Sequence, residues 1–246
     1  MASNKNFIAG TLHDIGAIYP ALWIVQKKVD GTVYANANLQ SKNFVFHQLN
    51  VGLSNKWQYG TGSTSSTSAI NISSQTASDG TPTTVDIGGA IISVDSNGVV
   101  TMTGTGMATY NGFLSADKKT IVGTVTEGTE YHMLIIQIID GQSSATSNIA
   151  GTSYGHMLAA GADPAPFWLH RTLSITGGII SFHLSWVSSN SAVTAPAGTQ
   201  TISIGSSGTA TIIGSDFNGQ LSYDGKFMVG TETFATGVFA LEVITH

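Results

Sequence analysis

The chain has 246 residues, 41% apolar and only 9% charged, with a net charge of −5 and no cysteine. That is room for one large or two small domains, too apolar for disorder, and without the basic balance that nucleic acid or an anionic membrane would demand. Disulfides, thiol catalysis and cysteine-ligated metal are excluded, and no run of 18 apolar residues offers a membrane-spanning helix. Gly, Ser, Thr and Asn fill positions that charges usually occupy, which fits an exported bacterial protein, secreted or periplasmic. The N-terminus shows no apolar signal core, so this expectation includes a leader absent from the sequence.

Helical periodicity is almost absent, and the chain reads as strands punctuated by Gly, Asp, Asn and Ser turns. Phe7–His13 and Tyr19–Lys28 are the first two strands. Asp30-Gly31 turns the chain and Thr32–Leu39 is its expected return; Phe44–Leu53 follows with clear alternation. Residues 60–84 are a low-complexity Ser/Thr/Gly segment, read either as a long exposed hairpin or as a mobile loop. Val85–Val94 and Val99–Thr105 form a hairpin around Asp95-Ser96-Asn97-Gly98. After residues 111–134 comes a polar link, 140–153. Tyr154–Ala160, Pro166–Ile175, Ile180–Ser188, Thr199–Ile204 and Thr209–Ile213 are the strands of the second half, which ends in residues 218–241.

Residues 111–134 (NGFLSADKKTIVGTVTEGTEYHML) and 218–241 (NGQLSYDGKFMVGTETFATGVFAL) align without a gap at an offset of 107, with 12 of 24 positions identical. Shared Gly and Thr could reflect composition; Asn, Asp, Lys, Leu and Val in register could not, so the chain is internally duplicated. Each copy reads strand, tight turn, strand, loose turn, strand. The turns are Ala116-Asp117-Lys118-Lys119 and Tyr223-Asp224-Gly225-Lys226, with Asp capping its own turn and Gly225 free to take positive φ. Gly123 and Gly230 interrupt their strands at the same place, which signals a bulge, a bend or a close backbone approach.

The expected fold is all-β and antiparallel. It has two related halves, 1–140 and 154–246, of about seven or eight strands each, one barrel or sandwich per half. This layout resembles tandem lipocalin-like barrels of the carotenoid hydratase and AttH type. Leu114-Ser115-Ala116-Asp117-Lys118-Lys119 and Leu221-Ser222-Tyr223-Asp224-Gly225-Lys226 also resemble a β-propeller repeat. A propeller repeats at about 40–50 residues in four or more blades, whereas here the copy returns only after 107 residues.

Hairpin 166–188 carries the main site candidate. With Gly177-Gly178 as a two-residue turn, Leu169 faces Trp186, Arg171 faces Leu184, Leu173 faces Phe182 and Ile175 faces Ile180, an apolar face holding one Arg. Buried, Arg171 needs a partner among Asp163, Glu232 and Glu242; otherwise it snorkels at a sheet margin. The opposite face carries Trp168, His170, Thr172, Ser174, Ser181, His183 and Ser185. It reads either as the solvent face of an ordinary sheet or as a ligand site, with His170 and His183 as acid and base and Trp168 as an apolar wall. The first half has Val25 and Lys27 near these positions, so such a site is not duplicated.

Two histidines alone do not hold zinc, and neither a metal nor a cofactor is expected. Trp57 and Tyr59, beside the Ser/Thr segment, are the expected exposed aromatics for stacking on a glycan, while Trp23 and Trp186 are expected in the core. No GxSxG elbow, P-loop, Rossmann fingerprint or EF-hand is present. The leading expectation is a barrel binding a small, mostly apolar molecule through Trp168, Thr172 and Arg171, with cofactor-free isomerase, cyclase or hydratase chemistry. The alternatives are a carbohydrate-binding or adhesion module and a structural extracellular module.

Overall fold

The computed structural model describes residues 7–13, 20–80, 87–104, 110–162, 166–190, 193 and 198–246. The described elements are strands and two short 3-10 turns, as the composition predicts. The chain divides into two compact units, one of residues 26–141 and one of residues 1–25 with 142–246.

The unit of residues 26–141 holds β3 (Asn43–Val51), β4 (Lys56–Thr64), β5 (Ile70–Ala77), β6 (Ile91–Val94), β7 (Val99–Thr103), β8 (Tyr110–Leu114), β9 (Thr120–Glu127) and β10 (Glu130–Ile138). They form one antiparallel sheet in the order β5-β4-β3-β10-β9-β8-β7-β6. The sheet curls until its two edges meet at a single bridge, Ala69 to Ile91. Residues 60–80 thus supply strand β4 and hairpin partner β5, the first of the two readings above; residues 81–84 lie outside the described residues.

In the other unit, β11 (Gly151–Gly161), β12 (Phe167–Thr176), β13 (Ile179–Ser188), β14 (Gly198–Ile204), β15 (Thr209–Ile212), β16 (Asn218–Leu221), β17 (Phe227–Ala235) and β18 (Val238–Thr245) close into an up-and-down barrel. Of the two barrels expected, this one closes, whereas the sheet of residues 26–141 is curled but not closed by a strand ladder. Each unit is one continuous sheet, not a set of separate blades, so the propeller alternative falls. Ahead of them, β1 (Phe7–His13) and β2 (Pro20–Gln26) make a two-stranded sheet, with β1 packed on β11, β12 and β18. Trp23 on β2 is 58% exposed, not core, because alternation along this strand turns it outward with Val25.

The duplication is written in side-chain contacts. In each unit a serine in the turn accepts a backbone N–H and donates to the turn aspartate. Ser115 Oγ accepts from Thr120 (2.9 Å) and donates to Asp117 (2.5 Å). Ser222 does the same with Phe227 (3.0 Å) and Asp224 (2.6 Å). Lys118 and Gly225 both take positive φ here, 62° and 72°, and only glycine does so without steric cost. One aromatic per unit then lies flat over a cross-strand pair of glycines. Tyr110 covers Gly112 and Gly123, and Phe217 covers Gly219 and Gly230; a Cβ at any of the four would overlap the ring. Of the bulge, bend or close backbone approach that Gly123 and Gly230 signal, the outcome is a close approach, made chiefly by an aromatic ring.

The expected return strand Thr32–Leu39 is instead a 3-10 turn at Asn36–Asn38. Asn38 accepts the Ala35 N–H and Asn36 accepts the Val94 N–H, so side chains replace a strand ladder. The polar link repeats this device: Asn148 accepts from Ala145 and Thr146 from Ile204. Leu39 and Ile149, each closing its turn, enter the two cores. A 3-10 turn thus precedes the first strand of each eight-stranded sheet, and β1–β2 pair apart from both.

The gap-free pairing slips at the last strand. Gly123 pairs with Leu134, but its counterpart Gly230 pairs with Glu242, not Leu241. A bulge between Thr233 and Ala235 adds the one residue responsible. A single-residue slip exchanges the two faces of a strand, so the interior position of Leu134 falls to Glu242.

Candidate functional site

The slip builds the site. Glu242 on β18 points into the barrel and is fully buried, where it meets Arg171 on β12. Arg171 Nε donates to Glu242 Oε1 at 2.8 Å and Nη2 donates to Oε2 at 2.6 Å, a bidentate pair with the guanidinium 4.9 Å from the Phe182 ring centre. Gly155, between the two strands, leaves room for it: a Cβ there would press on Glu242 Oε1 and Arg171 Cγ. Arg171 is therefore partnered by Glu242, one of the three carboxylates considered, and does not snorkel; Asp163 lies outside the described residues.

Beside this pair opens a cavity of about 420 Å³ lined by Arg171, Gln200, Ile212, Gly214, Ser215, Asp216, Glu232, Thr233 and Phe234. Glu232, half-buried on β17, has its carboxyl pushed up to about 7 by burial first and by Glu242 second, with Arg171 opposing. Ser215 Oγ reaches Glu232 Oε2 only at 3.5 Å. Asp216 accepts the Thr233 N–H through both oxygens, at 2.9 and 3.1 Å. Phe234, in the bulge, packs edge-on to Phe167 at 5.4 Å. The cavity thus holds two carboxyl groups, Glu232 and Asp216, beside a guanidinium whose hydrogen-bonding edge is already taken by Glu242. Among the described residues no three His, Cys, Asp or Glu side chains converge in a metal-binding arrangement.

Of the residues singled out in the sequence, Arg171 and Glu232 line this cavity, and Glu242 is paired with Arg171. The register of hairpin β12–β13 follows the expected pairs Leu173–Phe182 and Ile175–Ile180. It then shifts by two, so that Arg171 faces Trp186 and Leu169 faces Ser188. Three residues of β13 thus oppose Thr172, and His183 lies in that bulge, exposed. His170 is half-buried and packs against His156, its partner across β11–β12, with the rings tilted by 38° and their centres 4.7 Å apart. Burial holds both below the usual histidine range, His156 at about 4. Trp168 is half-buried with its indole N–H unpartnered among the described residues. These side chains alternate away from the barrel interior, and His170 and His183 do not meet in one site.

The two aromatics offered for glycan stacking are not an exposed platform. Trp57 is 4% exposed, because β4 lies between β3 and β5, and Tyr59 is half-buried against His47, with ring centres 5.1 Å apart. Trp186 packs, partly buried, on the core of Met157, Phe167 and Leu169, as expected.

No known protein family matches the chain, and no curated protein matches it. Two solved structures are similar in part. A protein of unknown function from the DUF3598 family of Nostoc punctiforme shares 10% identity over 86% of this chain and 97% of its own, with a TM-score of 0.31. Isotype 1 transferrin binding protein B of serogroup B Neisseria meningitidis shares 13% identity over 97% of this chain, with a TM-score of 0.33. The chain spans about half the length of the latter, 49%. Both scores are too low for any property of either protein to be transferred. Among the described residues no helix is long and apolar enough to cross a membrane.

Proposed function

We propose that the closed barrel is a binding protein for a small organic cation, an ammonium or amidinium group on a short apolar body. One observation carries this reading: Glu232 and Asp216 line the cavity beside Arg171, whose charge is already paired with the buried Glu242. With Glu232 ionised the four groups sum to a charge of about −2. A carboxyl raised by burial and by a second carboxylate relaxes toward its ordinary range when a cation enters beside it. Ile212 and Phe234 supply the apolar wall. The polar lining turns the expected ligand from a mostly apolar molecule into one with a charged head. Proton transfer without a cofactor, if the barrel performs it, belongs to Glu232 rather than to His170 and His183, because Glu232 faces the cavity. Export to the periplasm or the cell exterior stays part of the proposal, on composition alone.

The test is thermal stability of the whole chain with benzylamine, benzamidine, benzamide and benzoate. The two cations raise Tm at pH 8, less so at pH 5.5 where Glu232 is protonated, and Glu232→Gln removes the effect. Equal response to benzamide or benzoate, or no response to either cation, would overturn the reading.

A further inference from the structure

The other unit has a polar interior of its own, on different strands. A row of inward-facing positions runs His132 on β10, Asn50 on β3 and Lys56 on β4, each the cross-strand partner of the next. The adjacent row runs Leu134, Gln48 and Gln58. His132, Asn50, Lys56, Gln48 and Gln58 are all at most 4% exposed. The matching positions of the barrel, followed along the same ladders, are Ala240, Ala159 and Phe167, then Met157 and Leu169 opposite Glu242. Five buried polar side chains therefore replace an apolar cluster in the same fold, and burying polar groups is costly unless something pairs with them.

Their hydrogen bonds fix who lacks a partner. Gln48 Nε2 donates to Asn50 Oδ1 at 2.7 Å and contacts His132 Nδ1 at 3.1 Å. An amide nitrogen only donates, so in this network Nδ1 accepts and the ring proton sits on Nε2. Burial keeps the imidazole neutral by lowering its pKa. That Nε2–H is buried and has no partner among the described residues. Lys56, its side chain 5% exposed, makes one long contact, 3.4 Å to Asp79, whose carboxylate is 46% exposed. Two strand spacings, about 10 Å, separate the backbones of His132 and Lys56, and both side chains project to the same inner face. Glu130, which acts on His132 together with Glu127, already accepts the Ser54 N–H at 2.9 Å.

We propose that this end of the curled sheet is a second binding site, taking a small carboxylate or comparable oxyanion between the His132 Nε2–H and the Lys56 ammonium. Both unspent groups are donors, so the ligand must present acceptors. One carboxylate meets both needs: it accepts the imidazole N–H through one oxygen and faces the ammonium with the other.

The test is an acetate titration of the whole chain, with chloride at matched ionic strength as control, followed by the imidazole ¹⁵N and N–H resonances of His132. Acetate is expected to move the Nε2 signal saturably where chloride does not, and Lys56→Met to weaken the apparent affinity at least tenfold. If the Nε2–H instead proves hydrogen-bonded to an ordered water and indifferent to acetate and inorganic phosphate, the proposal fails. It fails equally if the acetate response is unchanged in Lys56→Met. Should that variant not fold, the wild-type titration decides alone.

Discussion

The two repeats share their turns, their glycine pairs and their strand order, and differ in what they bury. At mid-barrel one repeat places Arg171, Glu232 and Glu242. Along the matching ladders the other places Gly60, Val125 and Leu134. On neighbouring strands of the same cross-strand rows the contrast reverses, with Met157 and Phe167 against Gln48 and Lys56. The scaffold is therefore fixed by a few local devices, the serine–aspartate turn and the aromatic over two glycines. Interior layers can then change from apolar to charged without altering topology. A one-residue bulge near Phe234 is enough to turn a core leucine position into a buried glutamate.

The largest effect expected from breaking this contrast is at the buried ion pair. Arg171→Leu or Glu242→Leu alone strands a charge in the barrel and should cost about 3–5 kcal/mol. Making both changes, which copies the apolar character of the other repeat, should restore most of that loss. A denaturant-based double-mutant cycle measures the coupling, and purely additive losses would refute the pairing.

Next comes the shared aromatic–glycine device. Gly230→Ala and Gly123→Ala should each cost about 1–3 kcal/mol by overpacking, and Phe217→Leu should partly rescue Gly230→Ala. If one glycine tolerates alanine while the other does not, the repeats are not built alike.

The third effect is pH-dependent. Glu232 holds its proton more tightly folded than unfolded. Its contribution is thus fully present below the unfolded pKa near 4.5 and is lost as pH rises to about 7. The loss is on the order of 1–3 kcal/mol, and Glu232→Gln should flatten it. His156 works in the opposite sense: its lowered pKa removes stability as pH falls from 6.5 toward 4. Stability profiles of the wild type, Glu232→Gln and His156→Gln separate the two. The smallest effect is at the turns, where Ser115→Ala and Ser222→Ala should each cost about 0.5–1.5 kcal/mol.

Much of this was legible in the sequence because it is local. Repeated Asn, Ser, Asp and Gly at an offset of 107 revealed the turns and the close approaches. Arg171 was legible in part, since one cation on an alternating apolar face demands a carboxylate if buried, and Glu242 was one of three offered with Asp163 and Glu232. The cavity was not. It depends on a bulge near Phe234 and another opposite Thr172, and neither leaves a mark in alternation once the register resumes. The glycan platform failed for a related reason. Serine and threonine beside Trp57 suggested a solvent loop, yet hydroxyl residues form β4 and β5 as readily as apolar ones when neighbouring strands pair with them.

The most direct test of the central claim is the ionisation of Glu232, followed by carbon NMR of its side-chain carboxyl with and without benzylamine. A midpoint near 7 that falls when the cation is added is the predicted result. An ordinary carboxylate midpoint that no cation moves would contradict a cation site in the closed barrel.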